Sequence, residues 1–367
     1  MQEQYIKLSD LYKVKGIGEK TIDRIKKTLL QEKNNTYISE YDEDIKLDVN
    51  KIHHGDCLDL MNGIEDKSID MILCDLPYGT TACKWDEIIP FDKLWMQYKR
   101  IIRDNGAIVL FGSEPFSTKL RISNFLDYKY DWVWVKNNVT RFLSVETYPL
   151  KQHENIMVFY NEDYLKDIGE MLKSYRIKKG YSKKYMDEQL NTNTLYSFFE
   201  GRTLRGQTVY SLPNKKHWEI LVDVLNIDTN RYTYPQNKTF NHINLKPTHQ
   251  YIQKRQKHRA DNHYSFNAKS YLQTQTNYHR DVLFFDIESD NIHPTQKPVA
   301  LCEYLIKTYT NEGDLVLDNC IGSGTTAIAC LNTGRNYIGI EKEKKYFNTA
   351  NKRIKEWHKN NKYKNGV

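Results

Sequence analysis

The chain lacks any Cys-x-x-Cys pair. Its cysteines, Cys57, Cys74, Cys83, Cys302, Cys320 and Cys330, stand apart, which argues against a structural zinc site and predicts no metal. Several lie inside apolar runs, where a reduced thiol behaves as a small hydrophobe. No apolar run approaches membrane-spanning length. The polar start, Met1-Gln2-Glu3-Gln4, has no apolar signal region. Together these absences predict a cytoplasmic protein with no membrane partner. A complete Gly-x-Gly-x-x-Gly is also missing, which weakens a dinucleotide-binding reading.

What is present is a mild excess of positive charge. Lys and Arg number 54 against 47 Asp and Glu, giving a formal net charge of +7. That balance is compatible with a polyanionic partner. The 27 tyrosines are interleaved with the cations, a combination that suits nucleic-acid surfaces. An A·T-rich coding bias, which favours Lys, Asn, Tyr and Ile, accounts for most of this composition. At 367 residues the chain can bury a large core and hold more than one domain.

The first 34 residues read as two short helices around Val14-Lys15-Gly16-Ile17-Gly18-Glu19-Lys20. Two glycines flanking an apolar residue let backbone N–H groups face outward at a helix N-terminus. The segment resembles a helix-hairpin-helix, with Lys15, Gly16, Gly18 and Lys20 as candidate DNA-phosphate contacts; a plain helical hairpin is the alternative. Residues 31–48 read as a polar linker. Strands and helices then alternate, with strands at Met71–Cys74, Ala107–Phe111, Tyr130–Val135 and Ile156–Tyr160 and a helix from Phe91 to Ile102. No crossover helix fits between the last two strands, so an antiparallel pair is expected. Residues 161–285 form an insertion. Within it 165–227 reads as a helical, helix-turn-helix-like unit or else a plain helical insertion, its third helix expected at residues 192–201. Tyr232 to Tyr278 shows little periodicity and reads as an irregular surface or loop. Its Lys254, Arg255, Lys257 and Arg259 are candidate phosphate contacts.

Two short stretches carry chemistry. Asp75-Leu76-Pro77-Tyr78 ends the apolar run Met71-Ile72-Leu73-Cys74. A carboxylate, a proline-stiffened turn and an aromatic ring at a strand's carboxyl end can grip a planar base that carries an amine. Asp318-Asn319-Cys320-Ile321-Gly322-Ser323-Gly324-Thr325-Thr326 is a glycine-rich turn between a strand and a helix. Its glycines allow a nucleoside cofactor to approach the backbone. Glu341, after the next strand, can hold ribose hydroxyls. Between the two lies His293-Pro294-Thr295-Gln296-Lys297-Pro298, just before a helix starting near Val299.

In this order the motifs resemble those of the DNA amino-methyltransferases that use S-adenosylmethionine, in the permuted beta arrangement. The resemblance covers about residues 51–160 and 286–355. It implies an α/β, Rossmann-like fold with a mostly parallel sheet and a C-terminal antiparallel hairpin in the family topology, plus the helical insertion. Residues 48–160 would be the catalytic half and 286–360 the cofactor-binding half. The implied catalytic set is Asp75, Leu76, Pro77 and Tyr78. Asp56, Cys57, Lys297, Asp318, Gly322, Gly324, Thr325, Thr326 and Glu341 would bind S-adenosyl-L-methionine. Leu76 departs from the family's Asp-Pro-Pro-Tyr, but it keeps the backbone carbonyl that accepts an amine hydrogen.

The partner implied is double-stranded DNA, whose target base must leave the stack. In the family an Asp-initiated motif goes mostly with N6 of adenine and a Ser-initiated one mostly with N4 of cytosine. Adenine is therefore the expected target and cytosine the alternative. An RNA methyltransferase, or a DNA-binding regulator with a dead catalytic half, is a further reading. A homodimer and a cognate restriction endonuclease stay open as partners, and the setting implied is the cytoplasm of a bacterium or a phage-infected host.

Overall fold

The structure is a computed structural model. It describes residues 46–80, 86–161, 163–191, 196–204, 207–229, 238–243, 246–252, 271–287 and 296–361. The expected helix-hairpin-helix with Lys15, Gly16, Gly18 and Lys20 lies outside these residues. So do Lys254, Arg255, Lys257 and Arg259, and His293 to Thr295.

In chain order the elements are β1 (Lys51–His54), α1 (Cys57–Leu60), β2 (Ile69–Cys74), α2 (Phe91–Ile101), β3 (Ile102–Gly112), α3 (Phe116–Ser123), β4 (Tyr128–Thr140) and β5 (Lys151–Tyr160). The insertion follows with α4 (Asp163–Lys178), α5 (Lys183–Leu190), α6 (Tyr196–Phe199), β6 (Arg202–Leu204), β7 (Gln207–Val209), α7 (Lys215–Leu225), β8 (Lys246–Ile252) and β9 (Tyr271–Thr276). The chain returns through β10 (Val282–Phe284), α8 (Val299–Tyr309), β11 (Leu315–Asp318), α9 (Thr325–Thr333), β12 (Asn336–Glu341) and α10 (Lys344–Asn361). No helix among the described residues is long and apolar enough to cross a membrane.

β2 is apolar at nearly every position because both of its faces are covered. Its alternate residues feed two cores. Met71 and Leu73 pack with α8, α9 and α10 through Leu301, Leu305, Ala327 and Ile354. Ile72 and Cys74 pack with α1, α2 and α3 through Cys57, Leu94, Tyr98 and Phe116. The result is one sheet between two helical layers, ordered β1-β12-β11-β2-β3-β5-β4-β10. β5 alone runs against its neighbours β3 and β4; the other pairings are parallel. The β4–β5 hairpin is the antiparallel hairpin of the implied topology, and the permuted motif order leaves it in mid-chain.

The chain leaves β2 toward β3 on one side and leaves β11 toward β12 on the other. β2 and β11 are themselves paired, with Val316 opposite Met71 and Leu317 opposite Ile72. The connections therefore diverge between these two strands. Such a switch point opens a crevice at their carboxyl ends, where open α/β sheets bind ligands.

The insertion has a core of its own, built from Met171, Leu172, Met186, Leu190, Phe199, Trp218, Leu221 and Leu225. Ser182 and Asn214 cap α5 and α7 by accepting from Tyr185 N and His217 N. Two expectations need correction here. Of the third helix expected over 192–201, Tyr196–Phe199 is helical, 192–195 lie outside the described residues, and the helix stops before Glu200, where Gly201 at φ +69° leads into the small β6–β7 hairpin. Tyr232 to Tyr278, expected to be irregular, contains the antiparallel pair β8–β9. Both strands are largely polar, so no apolar alternation marks them in the sequence.

Candidate active site

The tetrapeptide Asp75-Leu76-Pro77-Tyr78 starts where β2 ends. Leu76 is buried at 3% exposure. It packs in the core that holds Cys57, Leu94 and Phe116, so burial restrains the turn where the family has a proline. Gly79 then takes φ +66°, a left-handed value that suits glycine. The Asp86 carboxylate accepts from Gly79 N and Thr80 N, both at 2.9 Å. Asp86 thus clamps the turn from below, a role that nothing in the motif announces.

Both oxygens of Asp75 are engaged. The Tyr78 hydroxyl donates to Oδ1 at 2.7 Å, and the Lys297 ammonium reaches Oδ2 at 2.5 Å. One face of the Tyr78 ring stacks on Phe116, with centroids 4.9 Å apart. Burial, then the adjoining Asp75, raise the Tyr78 hydroxyl well above its usual pKa, so it remains a donor.

Lys297, expected at the cofactor, belongs to this end of the site. Its ammonium also lies 3.4 Å from Glu154 Oε2, and Glu154 in turn pairs with Lys136 of β4. Burial works against the Lys297 charge. The carboxylates of Asp75 and Glu154 outweigh it and hold the ammonium above its ordinary range. Burial likewise opposes ionisation of Glu154, yet Lys297 and Lys136 keep its carboxyl below the usual value. The four groups form a chain of alternating charge, each desolvated ion having a partner. Sequence reasoning missed Glu154 and Lys136. Glu154 sits in the polar stretch Lys151–Asn155 and Lys136 just before Asn137 and Asn138, so neither stands out in the sequence.

The second half of the site sits on β11 and β12. Asp318 turns inward: its Oδ1 accepts from Cys320 N at 3.1 Å and its Oδ2 from the Thr326 hydroxyl at 2.6 Å. Burial pushes its carboxyl up to about 7 despite these bonds. Glu341 fastens the loop to β12, accepting from Gly322 N at 2.8 Å and from Glu343 N at 2.7 Å. Burial raises its pKa, and the backbone N–H groups oppose the rise. Gly324 begins α9 at φ +86°, and a Cβ there would meet the Ala350 Cβ at 3.0 Å. Around Gly322, by contrast, an added Cβ would find only Cys320 O, at 4.0 Å. Its backbone is therefore open on the pocket side.

Asp56 caps α1 by accepting from Leu58 N at 3.0 Å and pairs with Lys342 at 3.1 Å. Cys57 lies buried beside it, with its thiol pushed upward chiefly by a bond to Cys320 and by burial. Thr325 accepts from Arg353 at 3.2 Å, and the Tyr98 hydroxyl donates to Asn319 at 2.5 Å.

The two halves of the site meet on one cavity of about 430 Å³. Asp75, Leu76, Pro77, Tyr78, Glu154 and Lys297 line it together with Asp56, Cys57, Asp318, Gly322, Thr325, Thr326 and Glu341. Gly324, expected at the cofactor, is not among the lining residues; it packs against Ala350 of α10 instead. Open backbone at Gly322, a carboxylate at Glu341 and an apolar floor suit a nucleoside bearing a cationic side chain. The Asp75 corner suits a planar group with an amine.

Over residues 69–352 the sequence matches the N6/N4 DNA methylase family. Among known relatives, M.HinfI, a type II methyltransferase of Haemophilus influenzae, is 26% identical over 316 residues, covering 86% of this chain and 70% of that protein. Two other type II methyltransferases, M.BglI of Bacillus subtilis and M2.DpnII of Streptococcus pneumoniae, are 44% and 46% identical over 72 and 69 residues. Those matches take up 20% and 19% of this chain and span only 21% and 26% of the two relatives. Similar solved structures include the M1.HpyAVI–SAM complex, 19% identical with a TM-score of 0.43 over 83% of this chain and 97% of that one. The cytosine-N4-specific PvuII DNA methyltransferase is 11% identical, with a TM-score of 0.44 over 84% and 87% of the two chains.

Proposed function

The chain belongs to the DNA methylase family, and from that premise we propose that it moves a methyl group from S-adenosylmethionine to the exocyclic amine of a base in duplex DNA, at N6 of adenine. The observation that carries this reading is the meeting of Asp75 and Glu341 on one cavity at a topological switch point. Bound there, S-adenosylmethionine supplies an electrophilic methyl group. Glu341 would hold the ribose, and the backbone at Gly322 would lie alongside the nucleoside. Asp56 and Cys57 would flank the adenine.

At the other end, the target base enters after leaving the duplex stack. Asp75 accepts one amine hydrogen and the Leu76 carbonyl the other. This fixes the amine so that its lone pair points along the line of attack. The ring face of Tyr78 away from Phe116 receives the base. Orientation and a preorganised polar wall supply most of the rate. Lys297 holds Asp75 in place, and Glu154 holds Lys297.

Digesting methylated DNA to nucleosides tests the choice of base. Purified protein, tritiated cofactor and unmodified DNA should give label in 6-methyladenine. Label confined to 4-methylcytosine would move the activity to cytosine, and RNA labelled in preference to DNA would exclude the DNA substrate.

The insertion is the element that would choose the sequence, through residues 165–227 and Lys254, Arg255, Lys257 and Arg259. The segment with Lys15, Gly16, Gly18 and Lys20 would add only general affinity, because backbone N–H groups see phosphate and not bases. Removing residues 1–34 should weaken binding on all DNA alike, reduce its salt dependence and leave the methylated motif unchanged. Exchanging the insertion should change or erase the motif. A truncated chain that methylates a different sequence would refute this division.

A further inference from the structure

The loop of residues 141–150, between β4 and β5, is built in a way the sheet does not require. Antiparallel strands join through two residues when nothing else is asked of the connection. Here the loop presents Phe142 at 65%, Leu143 at 103%, Val145 at 53%, Tyr148 at 60% and Leu150 at 39% exposure. The loop is nonetheless compact. Ser144 N donates to Arg141 O at 3.0 Å, and Thr147 N and Tyr148 N donate to Ser144 O at 3.0 and 2.9 Å. Arg141 enters it at φ +74°, an uncommon value for a residue with a side chain. Large apolar groups are thus held out in water on a folded turn.

The position of the loop says what it meets. β4 is antiparallel to β5 and β5 to β3. β4 therefore points the same way as β2 and β11, and its carboxyl end opens on the same edge as Asp75. The stem is wired to the catalytic corner. Lys136 of β4 pairs with Glu154 of β5, Glu154 with Lys297, and Lys297 with Asp75. Lys151, at the foot of the loop, bonds to Ser113 after β3. The loop therefore rises from the same edge of the sheet as the pocket, its foot about 10 Å of strand from Glu154, which lines that pocket.

We propose that Phe142 and Leu143, at the tip of the β4–β5 loop, insert into the stack of duplex DNA beside the target base and fill the gap that the extruded base leaves. This rests on the methyl-transfer reading above. Apolar side chains act as such wedges elsewhere by entering an unstacked base step. The exposed Arg141 guanidinium is placed to meet the adjoining phosphates, with Glu146 the loop's one acid.

The test uses the double variant Phe142→Ser, Leu143→Ser in the full chain. Both side chains are exposed, so the fold should survive, and unchanged cofactor affinity checks that it does. Transfer is measured on an oligonucleotide duplex carrying the methylated motif and on the same duplex with a mismatch opposite the target base. The variant should lose at least about tenfold in kcat/KM on the paired duplex. It should return to within about threefold of the parent on the mismatched one, where extrusion costs less. Unchanged transfer on the paired duplex overturns the proposal. So does an equal loss on both duplexes, which would mark a general DNA contact. A shift in oligomeric state on size exclusion would assign the surface to a second copy of the chain and overturns it too. A parent chain that methylates neither duplex contradicts the activity reading itself, a result that the variant's behaviour cannot imitate.

Discussion

Replacing Asp75 with alanine should abolish methyl transfer while cofactor affinity stays within about threefold of the parent chain. In the proposed reading the carboxylate aims the amine, and removing one preorganised contact at a reacting centre costs about 10²–10³ in rate. The fold should tolerate the change. Lys297 keeps Glu154 as a counter-ion at 3.4 Å, so no buried ammonium is stranded. Asp75 follows β2 and Glu341 ends β12, and no bond joins Asp75 to Gly322 or Glu341 among those described. Single-turnover transfer and calorimetric titration of the cofactor check both halves. A large loss of cofactor affinity would mean that Asp75 belongs to the nucleoside site.

Glu341→Ala should have the converse effect. The parent carboxylate accepts from Gly322 N and Glu343 N, so its removal unfastens the glycine turn and takes away the group that, in the proposed reading, holds the ribose. Losing a charge-assisted bond costs about 1.5–3 kcal/mol, roughly ten- to a hundredfold in affinity. At saturating cofactor the transfer step should remain within about threefold of the parent rate. Glu341→Gln should fall between the two, because its amide oxygen can still accept one backbone N–H. A variant with normal cofactor affinity and a slowed chemical step would reverse the roles of the two carboxylates.

Much of the sheet was legible because its strands are short apolar runs that stop at chemistry. Ile69–Cys74 stops at Asp75, Leu315 to Leu317 at Asp318, and Asn336 to Ile340 at Glu341. The capped helix after Ser182 was legible from its first residues for the same local reason. What stayed hidden is non-local. Lys297 reads as part of a cofactor segment, but its partners Asp75 and Glu154 come from two other parts of the chain that meet only when β2, β3 and β5 pair. Asp86 carries no signal until Gly79 and Thr80 turn their N–H groups toward it. The β8–β9 pair is largely polar, so its pairing leaves no mark in the hydrophobic pattern. The Leu76 departure could be named in the sequence, but only the core around Phe116 and Leu94 shows how it is absorbed.

The central claim is that this chain methylates an amine in DNA through Asp75. The most direct measurement is long-read modification calling on DNA from cells expressing either the parent chain or Asp75→Ala at equal protein level. The account predicts 6-methyladenine at one recurring sequence with the parent chain and none above background with the variant. DNA unmodified by both would contradict it; equal modification by both would remove Asp75 from the chemistry.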